Sequence, residues 1–301
     1  MTHNKFKHIV ILIIRTFSGL SLLMIGNVSA DIYSAIESKL KYNSNLTNAS
    51  ASQNIVDDGL VAVSGIVGNH FQLDDKNSLS LQAQFDGEAY KQYEDMDNVS
   101  LAGKLILSRK WDLGLYAPWT SLAFSGAYLK NSNQVRDGAR YQVQLSGGKR
   151  LAERWSIWSD FQFEKRTAAN NLVIHEGVSG AVFDQTSESM KLNAMYNFNS
   201  TIYMKLGYGL RYGDVASTSI EETPGSNIDS VMTAVSWDPT FGPNAEVYRI
   251  TAITHTLGAS VSKTLTPHLI LSLEYQYLMT YAKGNNNYYV SLPALTLDYN
   301  F

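Results

Sequence analysis

The chain has 301 residues, no cysteine, and 24 basic against 27 acidic side chains, for a net charge of −3. That balance offers nucleic acid no basic footprint, and the missing thiols exclude disulfides and a cysteine-linked lipid. Charged residues make up 17%, below the ~25% of ordinary soluble domains.

Residues 1–30 read as a secretory leader. Lys5 and Lys7 give a positive start, apolar residues fill 9–14 and 17–25, and Val28-Ser29-Ala30 is a small-x-small cleavage site. Arg15 splits the apolar run, so neither piece approaches the ~20 residues of a spanning helix. Cleavage after Ala30 leaves a mature chain, 31–301, that begins at Asp31. No later apolar run is long enough to cross a membrane as a helix, so any crossing must use strands. Slightly negative mean hydropathy suits strands that show only half their residues to lipid.

About twelve alternating segments follow, at 32–43, 60–73, 78–90, 98–110, 119–130, 139–151, 154–166, 187–198, 201–213, 247–263, 268–282 and 288–301. Successive side chains of a strand point to opposite faces, and several segments keep that period cleanly. In the third, Leu79, Leu81, Ala83 and Phe85 alternate with Ser80, Gln82, Gln84 and Asp86. In the sixth, Tyr141, Val143 and Leu145 alternate with Arg140, Gln142 and Gln144. The last places Pro293, Leu295, Leu297, Tyr299 and Phe301 on one face, with Ala294, Thr296, Asp298 and Asn300 on the other. This aromatic-ended closing strand resembles the C-terminal strand of Gram-negative outer-membrane β-barrels. The resemblance implies that Tyr299 and Phe301 belong to the signal read by the barrel-assembly machinery.

Loop lengths point the same way. Short links (DDKN, WDLGLYAP, AE, NS and LTP) alternate with long ones at 44–59, 91–97, 167–186 and 214–246. That parity is the transmembrane barrel pattern: short periplasmic turns, long extracellular loops and an even strand count. The expected fold is therefore all-β, a single antiparallel barrel of about twelve strands, with ten to fourteen compatible with the same pattern. Its surroundings are the outer membrane of a Gram-negative bacterium, with lipid and lipopolysaccharide as neighbours. Trp111, Trp119, Trp155, Trp158, Phe198 and Tyr203 fall beside the short turns, and Tyr42, Tyr90, Tyr128, Tyr212, Tyr281 and Tyr288 at the opposite strand ends, as two aromatic girdles would.

If the apolar face meets lipid, the polar face lines a lumen. Candidate lining residues are Lys104, Arg140, Glu164, Arg166, Lys191, Lys205, Arg211 and Glu274. A Lys or Arg on the lipid face costs ~2–4 kcal/mol at midplane, so the inward phase of most charges is itself a fold test. Lys149 and Lys263 fall outward, near short-turn ends where long side chains snorkel. Gly207, Gly209 and Gly213 leave space along one inward face. The expected role is a porin-like channel for passive diffusion of small polar solutes, with anionic ones favoured by the lining Arg and Lys. Cross-lumen pairing that fills the interior is the competing reading, and twelve strands lie between packed and open barrels.

Other roles find less support. Glu94, Asp95 and Asp97, with Glu221, Glu222 and Asp229, form acidic loop clusters whose spacing matches no calcium loop. The 214–246 loop carries Pro224, Trp237, Pro239, Phe241 and Pro243, and its aromatics suit a loop that packs down and constricts the mouth. Outer-membrane phospholipase A places a nucleophilic Ser two residues from its His, whereas His255-Thr256-Leu257 has Leu there. No catalytic residues, metal ligands or cofactor are assigned. A closed barrel with ligand- or partner-binding outer loops is the second reading, and a lipid hydrolase the third.

Overall fold

The computed structural model describes residues 30–169, 181–220 and 229–301; the leader expected over residues 1–30 lies, apart from Ala30, outside them. Among the described residues thirteen strands form one antiparallel sheet. In chain order they are β1 (Ala30–Asn43), β2 (Asp58–Gln72), β3 (Asn77–Tyr90), β4 (Asn98–Lys110), β5 (Trp119–Asn131), β6 (Gly138–Arg150), β7 (Trp155–Ala168), β8 (Gln185–Asn197), β9 (Ile202–Ser219), β10 (Ala234–Trp237), β11 (Glu246–Thr266), β12 (Leu269–Ala282) and β13 (Tyr288–Asn300). Each strand of the ring pairs with its sequence neighbour, β11 skips β10 to pair with β9, and β13 returns to β1. The result is a closed twelve-strand barrel with one short extra strand on its rim.

Closure removes the sheet edge. Ile36 stands opposite Tyr299, Leu40 opposite Leu295, and the Phe301 N–H donates to the Ser34 carbonyl at 3.1 Å. In hydrocarbon no water is available for an unpaired N–H or C=O, so a spanning sheet must close. The ring strands run 13 to 21 residues, longer than the ~9–11 that a tilted strand needs to cross a bilayer.

The period-two pattern sets the two faces. Leu40, Leu101, Phe161, Leu257 and Leu273 are between 48% and 65% exposed on the outside, an arrangement that water would penalise and lipid would not. Outward charges keep to the rims: Lys149 and Lys263 at the short-turn end, and Arg109, whose guanidinium lies 4.9 Å from the Trp111 ring. The girdles are thinner than the sequence suggested. Register puts Trp119, Trp158 and Tyr203 on the lumenal face, and Tyr90 and Tyr288 inside the opposite rim. An aromatic near a strand end can take either phase, and only the pairing decides which.

At the short-turn rim, the β2–β3 turn is locked by Asp74. Its carboxylate accepts from the Asn77 side-chain amide and from the N–H groups of Lys76 and Asn77, which hold it below the usual carboxylate range. A depressed carboxylate stabilises the turn above its unfolded pKa, and that support is lost as pH falls through the folded one.

The 214–246 segment is not wholly loop. β9 continues to Ser219 and β11 begins at Glu246, so the hairpin extends past the barrel, with β10 added to β11 from Ala234 opposite Arg249 to Trp237 opposite Glu246. Alternation cannot announce this tip, because both of its faces are buried. Val215, Val235, Tyr248 and Ile250 form a core on one side, and Val182, Phe183, Ala234 and Val247 on the other.

The tip pivots at Gly213, which has φ +146° and lies so close to β8 that an added Cβ would sit 2.3 Å from the Thr186 carbonyl oxygen. Both conformation and space demand glycine here. Gly213→Ala is expected to cost on the order of 1–3 kcal/mol, read as a lower temperature for loss of the compact folded band on semi-native electrophoresis, with Gly126→Ala, where the nearest atom is 3.8 Å away, as the neutral control.

Candidate functional site: the lumen and its loop layer

Register puts the eight candidate residues on the face of the sheet opposite the exposed apolar side chains. Lys104 stands on β4 opposite Gln82 and Ser125. Arg140, Glu164 and Arg166 lie on β6 and β7, with Arg140 directly opposite Arg166 and Gln142 opposite Glu164. Lys191 pairs in register with Asp160 and Gly209, Arg211 with Ser189 and Thr254, and Lys205 and Glu274 both with Ser260.

These groups are satisfied along the wall. Asp86 accepts from Ser64 (2.7 Å), Gln84 (2.7 Å) and Ser100 (3.0 Å). Asp160 accepts from Ser146 (2.6 Å), Gln144 and Asn193, both at 3.2 Å. Glu164 accepts from Gln142 at 2.6 Å, and Glu274 from Thr296 at 2.7 Å, with Lys39 3.5 Å away. Among the described residues the hydrogen-bond partners in these sets lie on the same or adjacent strands, and the Lys39–Glu274 ion pair reaches past one intervening strand, β13. Hydrogen bonds that stay on one wall do not bridge the interior, and this weighs against a filled lumen.

Space remains at Gly207 and Gly209 but not at Gly213, which is packed against β8. A cavity of about 360 Å³ is lined by Lys191, Lys205, Gly207, Gly209 and Glu274. The Lys205 ammonium lies 5.2 Å from the Trp158 ring centre, a cation–π contact inside the lumen. Nearer the long-loop end, a cavity of about 520 Å³ is lined by Lys39, Lys41, Asp86, Arg136, Arg140 and Arg166, and one of about 260 Å³ by Arg136, Arg166, Phe183, Arg211 and Asp214.

Above these cavities the long loops pack into a layer of their own, which sequence reasoning only partly foresaw. The 44–57 loop reaches the β9–β11 tip: the Thr218 N–H donates to the Thr47 carbonyl (2.8 Å), the Ser217 hydroxyl to the Asn48 carbonyl (2.7 Å), and the Asn286 amide to Ser217 (2.9 Å). Phe241, in the short 3-10 turn Pro239–Phe241, packs with Leu46 and Ala245 and lies 5.2 Å from the Tyr93 ring. The packing expected of this loop's aromatics is carried by Phe241, whereas Trp237 stays 45% exposed. Arg136, which the sequence did not single out, donates to Asp238, a carboxylate only 1% exposed. Asp97, one of the loop acids, accepts from the Tyr90 N–H at 2.7 Å. Glu221 and Glu222 lie outside the described residues.

His255 faces outward, with its Nδ1 2.8 Å from the Tyr208 hydroxyl and its ring 6.0 Å from that of Tyr281. The hydroxyl beside this imidazole is a phenol, not the Ser an acyl-enzyme mechanism needs. Tyr299 and Phe301 also face outward, stacked edge to face at 4.9 Å, with Phe301 67% exposed.

Comparison with known proteins bears on the fold. Neither a family model nor a curated protein matches the chain. Among solved structures, it is similar to the COG4313 outer membrane channel from Pseudomonas putida F1, with TM-score 0.56 and 15% identity over 93% of this chain and 100% of that one. This protein has the porin-like outer-membrane barrel fold. Weaker likenesses, at 10% identity, are to the NanC porin (TM-score 0.44, 88% of this chain and 98% of that one) and the KdgM porin (TM-score 0.40, 89% and 99%).

The loop layer has a core of its own, so it should loosen without unfolding the barrel. Phe241→Ala removes its central ring, at a cost of about 3–5 kcal/mol for a well-packed aromatic. Limited trypsin digestion is expected to cut the variant faster at Lys91 and Arg249, while the barrel keeps its heat-modifiable mobility.

Proposed function

We propose that this protein is an outer-membrane channel for passive diffusion of small polar solutes, with anionic solutes preferred. The supporting observation is the wall-bound hydrogen bonding of the lumen, which leaves space lined by charges of both signs with a cationic excess instead of a cross-linked plug. Fixed Lys and Arg charges along a narrow, low-dielectric path favour anions and raise the barrier for cations. In this reading the long loops face outside the cell, residues 1–30 are a leader removed on export, and the outward aromatics Tyr299 and Phe301 serve the assembly machinery. Outer-membrane lipid and lipopolysaccharide cover the apolar belt. No catalytic role is assigned.

The packed loop layer favours one second reading: a closed barrel whose outer loops bind a ligand or partner. The two readings part in a planar bilayer. Purified refolded protein is expected to give small, steady conductance steps, with a reversal potential in a potassium chloride gradient that reports chloride preference. A tight bilayer containing correctly folded protein would favour the closed barrel. Lys191→Glu, on an exposed lumenal position, is expected to move the reversal potential toward potassium; an unchanged potential removes Lys191 from the conduction path.

A further inference from the structure

The wall of β6 and β7 holds an arrangement that ordinary sheet chemistry avoids. Arg140 and Arg166 are direct cross-strand partners on the lumenal face, and like charges placed opposite each other repel. Among the described residues no carboxylate forms an ion pair with either arginine. Glu164, on the neighbouring row, accepts from the Gln142 amide at 2.6 Å. Asp137 accepts from Lys130 and from the Asn131 N–H at 2.7 Å. Asp238 is engaged by Arg136, and Asp214 accepts from the Thr186 N–H at 3.0 Å.

Guanidinium groups converge around the pair. The Arg136 and Arg166 guanidiniums each lie 5.0 Å from the Phe183 ring centre, and Arg211 lines the same 260 Å³ cavity. Arg166 spends one of its donors on the Arg136 carbonyl, and Arg211 one on the Asp214 carbonyl. The Nε atoms of both Arg136 and Arg166 are buried without a hydrogen-bond partner. A buried, unpaired donor on a charged group is costly, and a planar guanidinium fork matches the oxygens of a carboxylate or phosphate.

We propose that Arg140 and Arg166, with Arg136 beside them in the 520 Å³ cavity, form a binding site for one small, multiply charged oxyanion beneath the loop layer, next to the smaller cavity that Arg211 lines. This deepens the channel reading, on which it rests, by naming the solute chemistry held at the constriction. The bound oxygens relieve the Arg140–Arg166 repulsion. The Phe183 ring offers the apolar remainder of such a solute a surface to lie against.

The test adds citrate, or separately inorganic phosphate, to refolded full-length protein conducting chloride in a planar bilayer at constant ionic strength. Calorimetry in detergent measures binding of the same two probes in parallel. The site is expected to give saturable block and saturable heat with at least one probe, and the probe that saturates at lower concentration identifies carboxylate or phosphate as the preferred oxyanion. Arg166→Gln and, independently, Arg140→Gln are expected to raise the half-saturating concentration by about tenfold or more. Arg150→Gln, on the turn where that guanidinium meets the Ala152 carbonyl at 3.1 Å, leaves it unchanged. Two substitutions guard against one that fails to fold, and heat-modifiable mobility confirms folding for each. Chloride current with only linear, non-saturating effects of both probes overturns the site and leaves the channel standing. Saturable heat without any conductance keeps the site and overturns the channel. Saturation that both substitutions leave unaltered also overturns this assignment.

Discussion

The β1–β13 pairing is the contact on which everything else rests. A twelve-strand antiparallel sheet left open would present two rows of unpaired N–H and C=O groups to hydrocarbon, each costing several kcal/mol. Pairing Ala35 with Asn300 through Lys41 with Ala294 removes both edges at once. Only after that closure do inside and outside exist. The alternation of Leu269, Leu271 and Leu273 with Ile270, Ser272 and Glu274 then becomes a lipid face and a lumen.

Two kinds of stabilisation divide the molecule along its axis. Through the barrel the ladder is continuous and the lumenal polar groups satisfy one another along the wall, as in the Gln144–Ser146–Asp160–Asn193 set. At the long-loop rim the chain behaves like a small soluble domain. Ile250, Val235 and Val247 are fully buried, and Asn45, Thr47 and Asn286 are buried but hydrogen-bonded. The first region needs a closed ring, whereas the second needs a hydrophobic core. Gly213 marks the change from one to the other, where β9 leaves the barrel ladder and enters the packed layer.

The lumen derives its character from that division. Below the layer, Lys191 and Lys205 face open space across Gly207 and Gly209. At the layer, Arg136, Arg166 and Arg211 are drawn together by loops that bring Phe183 and Asp238 inward. The grouping of arginines at one end of the polar interior therefore follows from loop packing, not from the strand pattern alone.

Much of this was legible in the chain. Strand positions, closure in even number, the sorting of short and long links, and the inward phase of Arg140, Glu164, Arg166, Lys191, Lys205, Arg211 and Glu274 follow from period-two alternation, because lipid tolerates only one face. Where that contrast fails, the sequence is silent. The 215–219 stretch and the first three residues of β10 are buried or half-buried whichever way they point, so nothing alternates. The facing of Trp119, Trp158, Tyr203 and Tyr288 depends on register, since an aromatic suits a membrane interface and a lumen equally well. Arg136 gave no signal because its partner, Asp238, is 102 residues away. Local alternation thus determined the barrel and its lining, whereas the loop layer and the clustering of its arginines were decided by tertiary contacts between segments that no local spacing connects.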